Sequence, residues 1–271
     1  MTSGENVLDR AVDEAVREFG PSLSGAYALG SLAHGGFAPL VSDVDLMLVL
    51  DAVEESTRSR VDVVRERVRR DDPSELADRL SVFWADWPGV RAGVGPHGRL
   101  PEVDRLDLLD SGRLLHGQDR RNGAERPEAG TIVRQAAEFA VERFDDRYVV
   151  KLEHPELLVD EGPRSVTKAV LFPVRFLYTL ATGHIGRNDD ASDWFGRHHH
   201  GGELVTAAMA WRAGGIADPA EARRLMAAHL VPIHTTFATR YVRALEELGY
   251  GNLAARLDAW GARFDANGPG A

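Results

Sequence analysis

The segment Ala28-Leu29-Gly30-Ser31, followed after eleven residues by Asp43-Val44-Asp45-Leu46, carries the residue types that phosphate chemistry uses. A glycine lets backbone approach a phosphate closely, and a serine at a helix start adds a hydroxyl and an N–H. Asp43 and Asp45 are two apart, so on a strand both carboxylates point to one face. Two hard oxygen ligands on one face suit Mg²⁺, which usually takes one or two carboxylates together with triphosphate oxygens. Phosphoryl or nucleotidyl transfer needs little more than bound metal and fixed positions for the attacking and leaving oxygens. An Asp-x-Asp alone is common in loops and caps, and a lone Gly-Ser says almost nothing. The order strand, Gly-Ser, short helix, Asp-x-Asp strand is far more specific. It makes Gly30, Ser31, Asp43 and Asp45 the candidate site.

Three other groups of residues draw the eye. Asp189 and Asp193 are four apart and share one face of a helix. They could bind a guanidinium or ammonium group by charge-assisted hydrogen bonds, or they could serve the helix start, with Asn188 or Asp189 as N-cap. Arg197-His198-His199-His200 could ligate metal but is followed by Gly201-Gly202 and reads as a loop. Trp84 and Trp87 lie on an apolar strand and read as core.

The elements that must hold these residues follow from periodicity. Apolar positions at Val7, Leu8, Ala11, Val12, Ala15, Val16 and Phe19 predict a helix that Gly20-Pro21 ends. Short aliphatic runs at 26–29 and 44–50, and LSVFWADW at 80–87, predict three strands. A charged amphipathic helix fits 56–70, a Gly/Pro-rich loop fits 94–101, and 106–117 reads as a helix or turn closing on Gly117. The polar stretch 118–130 marks a boundary. Beyond it, helices are expected over 131–150, 165–182, 189–195, 203–213, 219–230, 233–248 and 253–264, with 266–271 frayed. The expected fold class is therefore α+β/α: an α/β domain with a small mixed sheet at 1–125 and an all-α domain at 126–271, which the resemblances given below imply are a nucleotidyltransferase domain and a substrate-binding domain with the site in the cleft between them.

The bulk properties agree. The 271 residues include 44% hydrophobic and 27% charged, as in ordinary globular chains. There is no cysteine, which excludes disulfide, thiolate and Cys-zinc chemistry. No apolar run reaches the roughly 20 residues of a membrane span, and the N-terminus lacks the pattern of a signal peptide, so a cytoplasmic home is expected. The net charge of −10 disfavours nucleic acid as a partner and suits a cationic small molecule. A monomer or homodimer is expected.

The stretch GSLAHGGFAPLVSDVDLMLVL resembles the signature of the polymerase-β-type nucleotidyltransferases. The resemblance implies that Gly30 and Ser31 hold a triphosphate and that Asp43 and Asp45 hold metal. Small members of that family often read Gly-Ser-x-Ala-Arg-Gly, and this chain has His34 at the arginine position. The family also uses a third carboxylate on a neighbouring strand, to bind metal or act as base. Two alignments compete: one gives Asp86, whose other reading is a cap on the Pro88-Gly89 turn, and the other gives Ser81, which leaves the position without a carboxylate. Asp104 and Asp107 fall in a later segment that looks helical.

Residues 175–194 are similar to the helical domain of the aminoglycoside adenylyltransferases that modify streptomycin and spectinomycin. The two matched segments cover about a sixth of the chain. This second resemblance implies that Asp189 and Asp193 belong to a substrate pocket. The stretch around Arg175 reads as core, with Arg175 a candidate to neutralise phosphate. The expected function is transfer of AMP from ATP, with Mg²⁺, to a hydroxyl of a small aminoglycoside-like acceptor, with release of pyrophosphate. The alternatives are a protein or RNA acceptor, or a nucleotide binder without catalysis.

Overall fold

A computed structural model describes residues 3–265. Residues 1–2 and the 266–271 segment expected to fray lie outside the described residues. The chain divides into two compact units, Met1–Pro127 and Glu128–Ala271. The first combines a small mixed sheet with helices, and the second is helical, as the fold class expected.

In the first unit, α1 (Ser3–Phe19) leads through a 3₁₀ turn over Gly20-Pro21-Ser22 into β1 (Leu23–Leu29). The short helix α2 (Gly30–His34) and a loop follow, then β2 (Val44–Leu50), α3 (Thr57–Asp71), α4 (Glu75–Asp78) and β3 (Leu80–Asp86). Helices α5 (Trp87–Ala92) and α6 (Glu102–Ser111) precede β4 (Arg113–Gly117). The strand order is β3-β2-β1-β4. The β1–β2 and β1–β4 pairs are antiparallel and β2–β3 is parallel.

The alternation of each strand sorts its side chains between two cores. Ala26, Ala28, Leu46, Leu48, Val82 and Trp84 pack with Val7, Leu8, Ala11, Val61, Val64 and Val68 of α1 and α3. Tyr27, Leu29, Met47, Val49 and Phe83 turn the other way, onto Trp87, Val90, Leu100 and Leu108. Helices thus cover both faces, which is why β2 reads as an apolar run from Leu46 to Leu50. The tryptophans read as core from sequence are buried. The fourth strand was not expected. Its five residues close on Gly117, whose φ of +82° puts the Cβ of any other residue 2.3 Å from the Ser24 carbonyl oxygen.

The second unit comprises α7 (Ala129–Arg143), α8 (Asp146–Glu153), α9 (Glu156–Glu161), α10 (Pro163–Thr182), α11 (Asn188–His198), α12 (Gly202–Gly214), α13 (Pro219–Glu247) and α14 (Gly251–Asp265). The helix expected over 131–150 is in fact two. Asp145 interrupts it and caps α8 by accepting the Tyr148 N–H at 2.9 Å. The break expected at Pro232 does not occur, and α13 runs for 29 residues through it. Leu225, Met226, Leu230, Ile233, Phe237 and Tyr241 line one buried stripe on both sides of the proline. Burial of that stripe outweighs the roughly 3 kcal/mol cost of an interior proline. No described helix is long and apolar enough to cross a membrane.

His234 sits fully buried in this core, among Phe144, Tyr148 and Trp260. Its Nδ1 lies 3.0 Å from the Leu230 carbonyl oxygen and its Nε2 3.0 Å from the Tyr148 hydroxyl. A carbonyl only accepts, so Nδ1 carries the proton and Tyr148 donates to Nε2. Burial pushes the His234 pKa from 6.5 down to about 4, against the pull of the Leu230 carbonyl. The unfolded chain therefore takes up a proton near pH 6.5 that the folded chain refuses until near 4. Stability from the neutral ring is full above 6.5 and falls as pH drops toward 4, by about 1.4 kcal/mol per pH unit in that window. Urea titrations at pH 7 and 4.5 should show the native protein losing about 2 kcal/mol more than a His234→Gln variant; equal losses would contradict this account.

Candidate functional site

The antiparallel register sets Leu29, the last residue of β1, opposite Asp45. The next residue, Gly30, has φ +59° and turns the chain into α2. A Cβ at Gly30 would lie 2.8 Å from Asp45 Oδ2, so any other residue would both strain the backbone and push the carboxylate aside. Ser31 is the second residue of α2, and Asp43 immediately precedes β2. Both aspartates are half-buried. Arg79 steadies the loop leading into Asp43. Its Nη1 donates to the Ser42 carbonyl at 3.1 Å and its Nη2 to that of Pro39 at 2.8 Å. The Ser42 hydroxyl accepts the Ala38 N–H at 3.0 Å. The structure thus brings Gly30 onto Asp45, and the one helix and two strands involved are local in sequence.

The parallel β2–β3 register decides the third carboxylate. Asp45 pairs with Ser81, and Asp86 pairs with Leu50 five positions further along. At about 3.3 Å per residue that is roughly 16 Å from the level of Asp45. Asp86 instead accepts the Gly89 N–H at 2.7 Å and caps α5. The assignment of Asp86 to the metal and base position is therefore corrected: it is the helix cap of the Pro88-Gly89 turn, and a serine stands beside Asp45. Among the described residues, no group of three or more His, Asp or Glu side chains is arranged to hold a metal on its own. Two carboxylates on a half-buried face fit Mg²⁺ of the kind that a triphosphate completes, not a cage made by protein alone.

Near this face, Arg99 was not singled out from sequence, and Asp107 was placed only on a helix. Arg99 lies over the rings of Phe83 and Trp84 at 4.9 and 5.9 Å and donates to the Val82 carbonyl. Burial lowers its pKa first of all, while Asp104 and Asp45 lie close enough to raise it. Asp107, on α6, accepts the Gly30 N–H at 2.7 Å. His34, at the position where the family has arginine, faces the Gly35 carbonyl with Nδ1 at 3.2 Å.

In the second unit α11 carries Asp189 and Asp193, both exposed. The N-cap of this helix is Arg187, without a side-chain cap, so neither Asn188 nor Asp189 has that role. Asp193 makes no ion pair or hydrogen bond among the described residues. The next residue, Trp194, meets Tyr178 edge-on at 6.0 Å and stacks on His198 at 5.0 Å. Asp189 differs, because it lies near Arg212. Arg212 is buried, and with the Asn188 amide oxygen turned toward it, Nε and Nη2 donate to that oxygen at 3.3 Å each. Arg175 is close by, with Nε donating to the Gly186 carbonyl at 2.6 Å. Burial, and then Arg175, lower the Arg212 pKa. Two arginines therefore share one neighbourhood with Asp189, and Arg212 was not foreseen. The Arg197-His198-His199-His200 stretch read as a loop begins inside α11, which ends at His198.

No protein-family model matches the sequence. No curated protein matches it either. A solved structure does: the spectinomycin adenyltransferase AAD(9) from Enterococcus faecialis, with ATP and spectinomycin. The match covers 83% of this chain and 97% of that one, with a TM-score of 0.56 and 14% identity. The chain shares the fold of that adenyltransferase. At this identity the likeness speaks for the fold and not for the residues that act.

The Gly30 turn gives a direct test of the geometry. Gly30→Ala must bring its Cβ to 2.8 Å from Asp45 Oδ2 at a φ that costs an L-residue about 1–2 kcal/mol. The variant is expected to stay folded and to bind ATP at least tenfold more weakly, read by calorimetric titration. Unchanged ATP binding would separate Gly30 from the nucleotide.

Proposed function

We propose that the chain is a nucleotidyltransferase that moves AMP from ATP to a hydroxyl of a small cationic, aminoglycoside-like acceptor and releases pyrophosphate. The observation that carries this reading is the closure of Gly30 on Asp45, beside Asp43, at the end of β1. That is a phosphate-approaching backbone joined to a two-carboxylate face, on a fold shared with an adenyltransferase solved with ATP. A cytoplasmic protein is part of the same proposal.

Asp43 and Asp45 would hold Mg²⁺, which supplies charge neutralisation for the triphosphate and for the leaving pyrophosphate. The Ser31 hydroxyl donates to a phosphate oxygen, and the glycine at 30 keeps any side chain out of the way. Arg175, with Arg212 beside it, provides positive charge for the phosphates. The acceptor oxygen forms its bond to the α-phosphorus as the bond to the α,β-bridging oxygen breaks, and pyrophosphate leaves with that electron pair. The acceptor proton passes to solvent, since Ser81 offers no carboxylate next to Asp45. Asp193, unpaired and exposed, binds an ammonium group of the acceptor. Asp189, partly balanced by Arg212, contributes less.

The serine at position 81 favours a second reading, a nucleotide binder that does not catalyse. The two separate in one assay, pyrophosphate release from ATP and Mg²⁺ across an aminoglycoside panel that includes spectinomycin and streptomycin. The native chain should release pyrophosphate with at least one acceptor, and Asp43→Asn should lower the rate at least a hundredfold. Binding of ATP with no release on any acceptor would favour the second reading. With an acceptor in hand, Asp193→Asn should raise its KM by about tenfold, the size of one charge-assisted hydrogen bond, and leave the KM for ATP unchanged. An unchanged acceptor KM would remove Asp193 from the site.

A further inference from the structure

Two carboxylates are buried among the described residues, Glu14 and Asp107, at 3% and 7% exposure. Glu14 has cations at hand, with Arg17 at 2.5 Å and Arg67 at 3.8 Å. Asp107 has none. Its Oδ2 accepts the Gly30 N–H at 2.7 Å, and its Oδ1 is buried with no hydrogen-bond partner. An unpaired carboxylate is costly to bury and is normally matched by a positive group.

The position of Asp107 says where that positive group belongs. Gly30 is touched from two sides, by Asp107 Oδ2 at its N–H and by Asp45 Oδ2 where its Cβ would be, 2.8 Å away. The two carboxylates therefore face one glycine, at the head of the phosphate-approaching turn. Beside Asp45 on the sheet stands Ser81, which carries no charge. Negative charge that β3 does not supply arrives instead from α6, which packs over the same face with Leu108 in its core.

We propose that Asp107 is a positioning residue of the nucleotide site, rests on the reading given above, and acts in two ways. It fixes the left-handed Gly30 through its N–H, and its buried charge raises the affinity of the Asp43/Asp45 pair for a divalent cation. It need not touch the ion. A charge within several ångströms in a half-buried setting changes the energy of a divalent ion by enough for a tenfold effect on affinity.

The two contributions separate with Asp107→Asn. The amide oxygen still accepts the Gly30 N–H, and only the charge is lost. The probe is Mn²⁺ titrated into the full chain with α,β-methylene-ATP, followed by the electron paramagnetic resonance of free Mn²⁺, beside a thermal melt without ligand. The expected result is Mn²⁺ binding at least tenfold weaker in Asp107→Asn, a melting temperature near the native value, and recovery of nucleotide binding at high Mn²⁺. Native Mn²⁺ affinity in Asp107→Asn would overturn the proposal and leave Asp107 as a backbone acceptor only. Should Asp107→Asn not fold, Asp107→Glu keeps the charge and decides the matter. Affinity within threefold of native supports the charge role, and a tenfold loss in a folded protein refutes it. The underlying reading fails differently: native chain and Asp45→Asn would then bind Mn²⁺ equally.

Discussion

A position at φ +59° whose Cβ would stand 2.8 Å from a carboxylate oxygen strongly favours glycine, and that preference at Gly30 ties the end of β1 to Asp45. The turn can form only if β1 ends where it does, because the register that sets Leu29 opposite Asp45 also brings Gly30 over the carboxylate. That register is fixed by the alternation of β1 and β2 between two buried faces. A slip of one residue would exchange the sets now packed on α1 and on Val90 and Leu108. The hydrophobic cores thus act on this turn directly: they hold strand register, register holds the glycine, and in the proposed function the glycine determines how near a phosphate can come. Charged groups gather where the cores stop.

This chain of causes explains what could be read from sequence. The meeting of Gly30 with Asp45 is legible because their spacing spans one hairpin-like unit, in which local periodicity fixes the strands on either side. Strands β1 to β3 are legible for the same reason. The fourth strand is not, since Arg113–Gly117 has a mostly exposed or half-buried pattern and its pairing depends on Gly117 passing under Ser24. Asp107 could be placed on a helix but not against Gly30, because the contact joins residues 77 apart. Arg212 is hidden likewise: an arginine in the last turn of α12 reads as a solvated helix end, and only the packing buries it near Arg175 and Asp189.

Asp86 and Pro232 show two ways in which local signals compete. Asp86 lies on the strand next to β2, and only the register tells that it is level with Leu50 and not with Asp45. The Pro88-Gly89 turn that follows supplies the physical claim on its side chain, an N–H that needs an acceptor at the start of α5. Pro232 gives the opposite lesson. A proline is a strong stop signal when nothing else is at stake, yet α13 passes through it because the stripe from Leu225 to Tyr241 is buried on both sides. Tertiary burial decided the second case and local capping the first.

The combination of a shared fold with 14% identity is what these constraints allow. Cores accept extensive exchange among apolar residues provided volume and pattern persist, so register can survive while nearly every side chain changes. The chemistry proposed here needs one glycine, one hydroxyl and two carboxylates in fixed relation, all within a segment that register alone holds. Everything further from that turn is free to vary. The strand position beside Asp45 holds a hydroxyl here, and the buried carboxylate that meets Gly30 comes from α6.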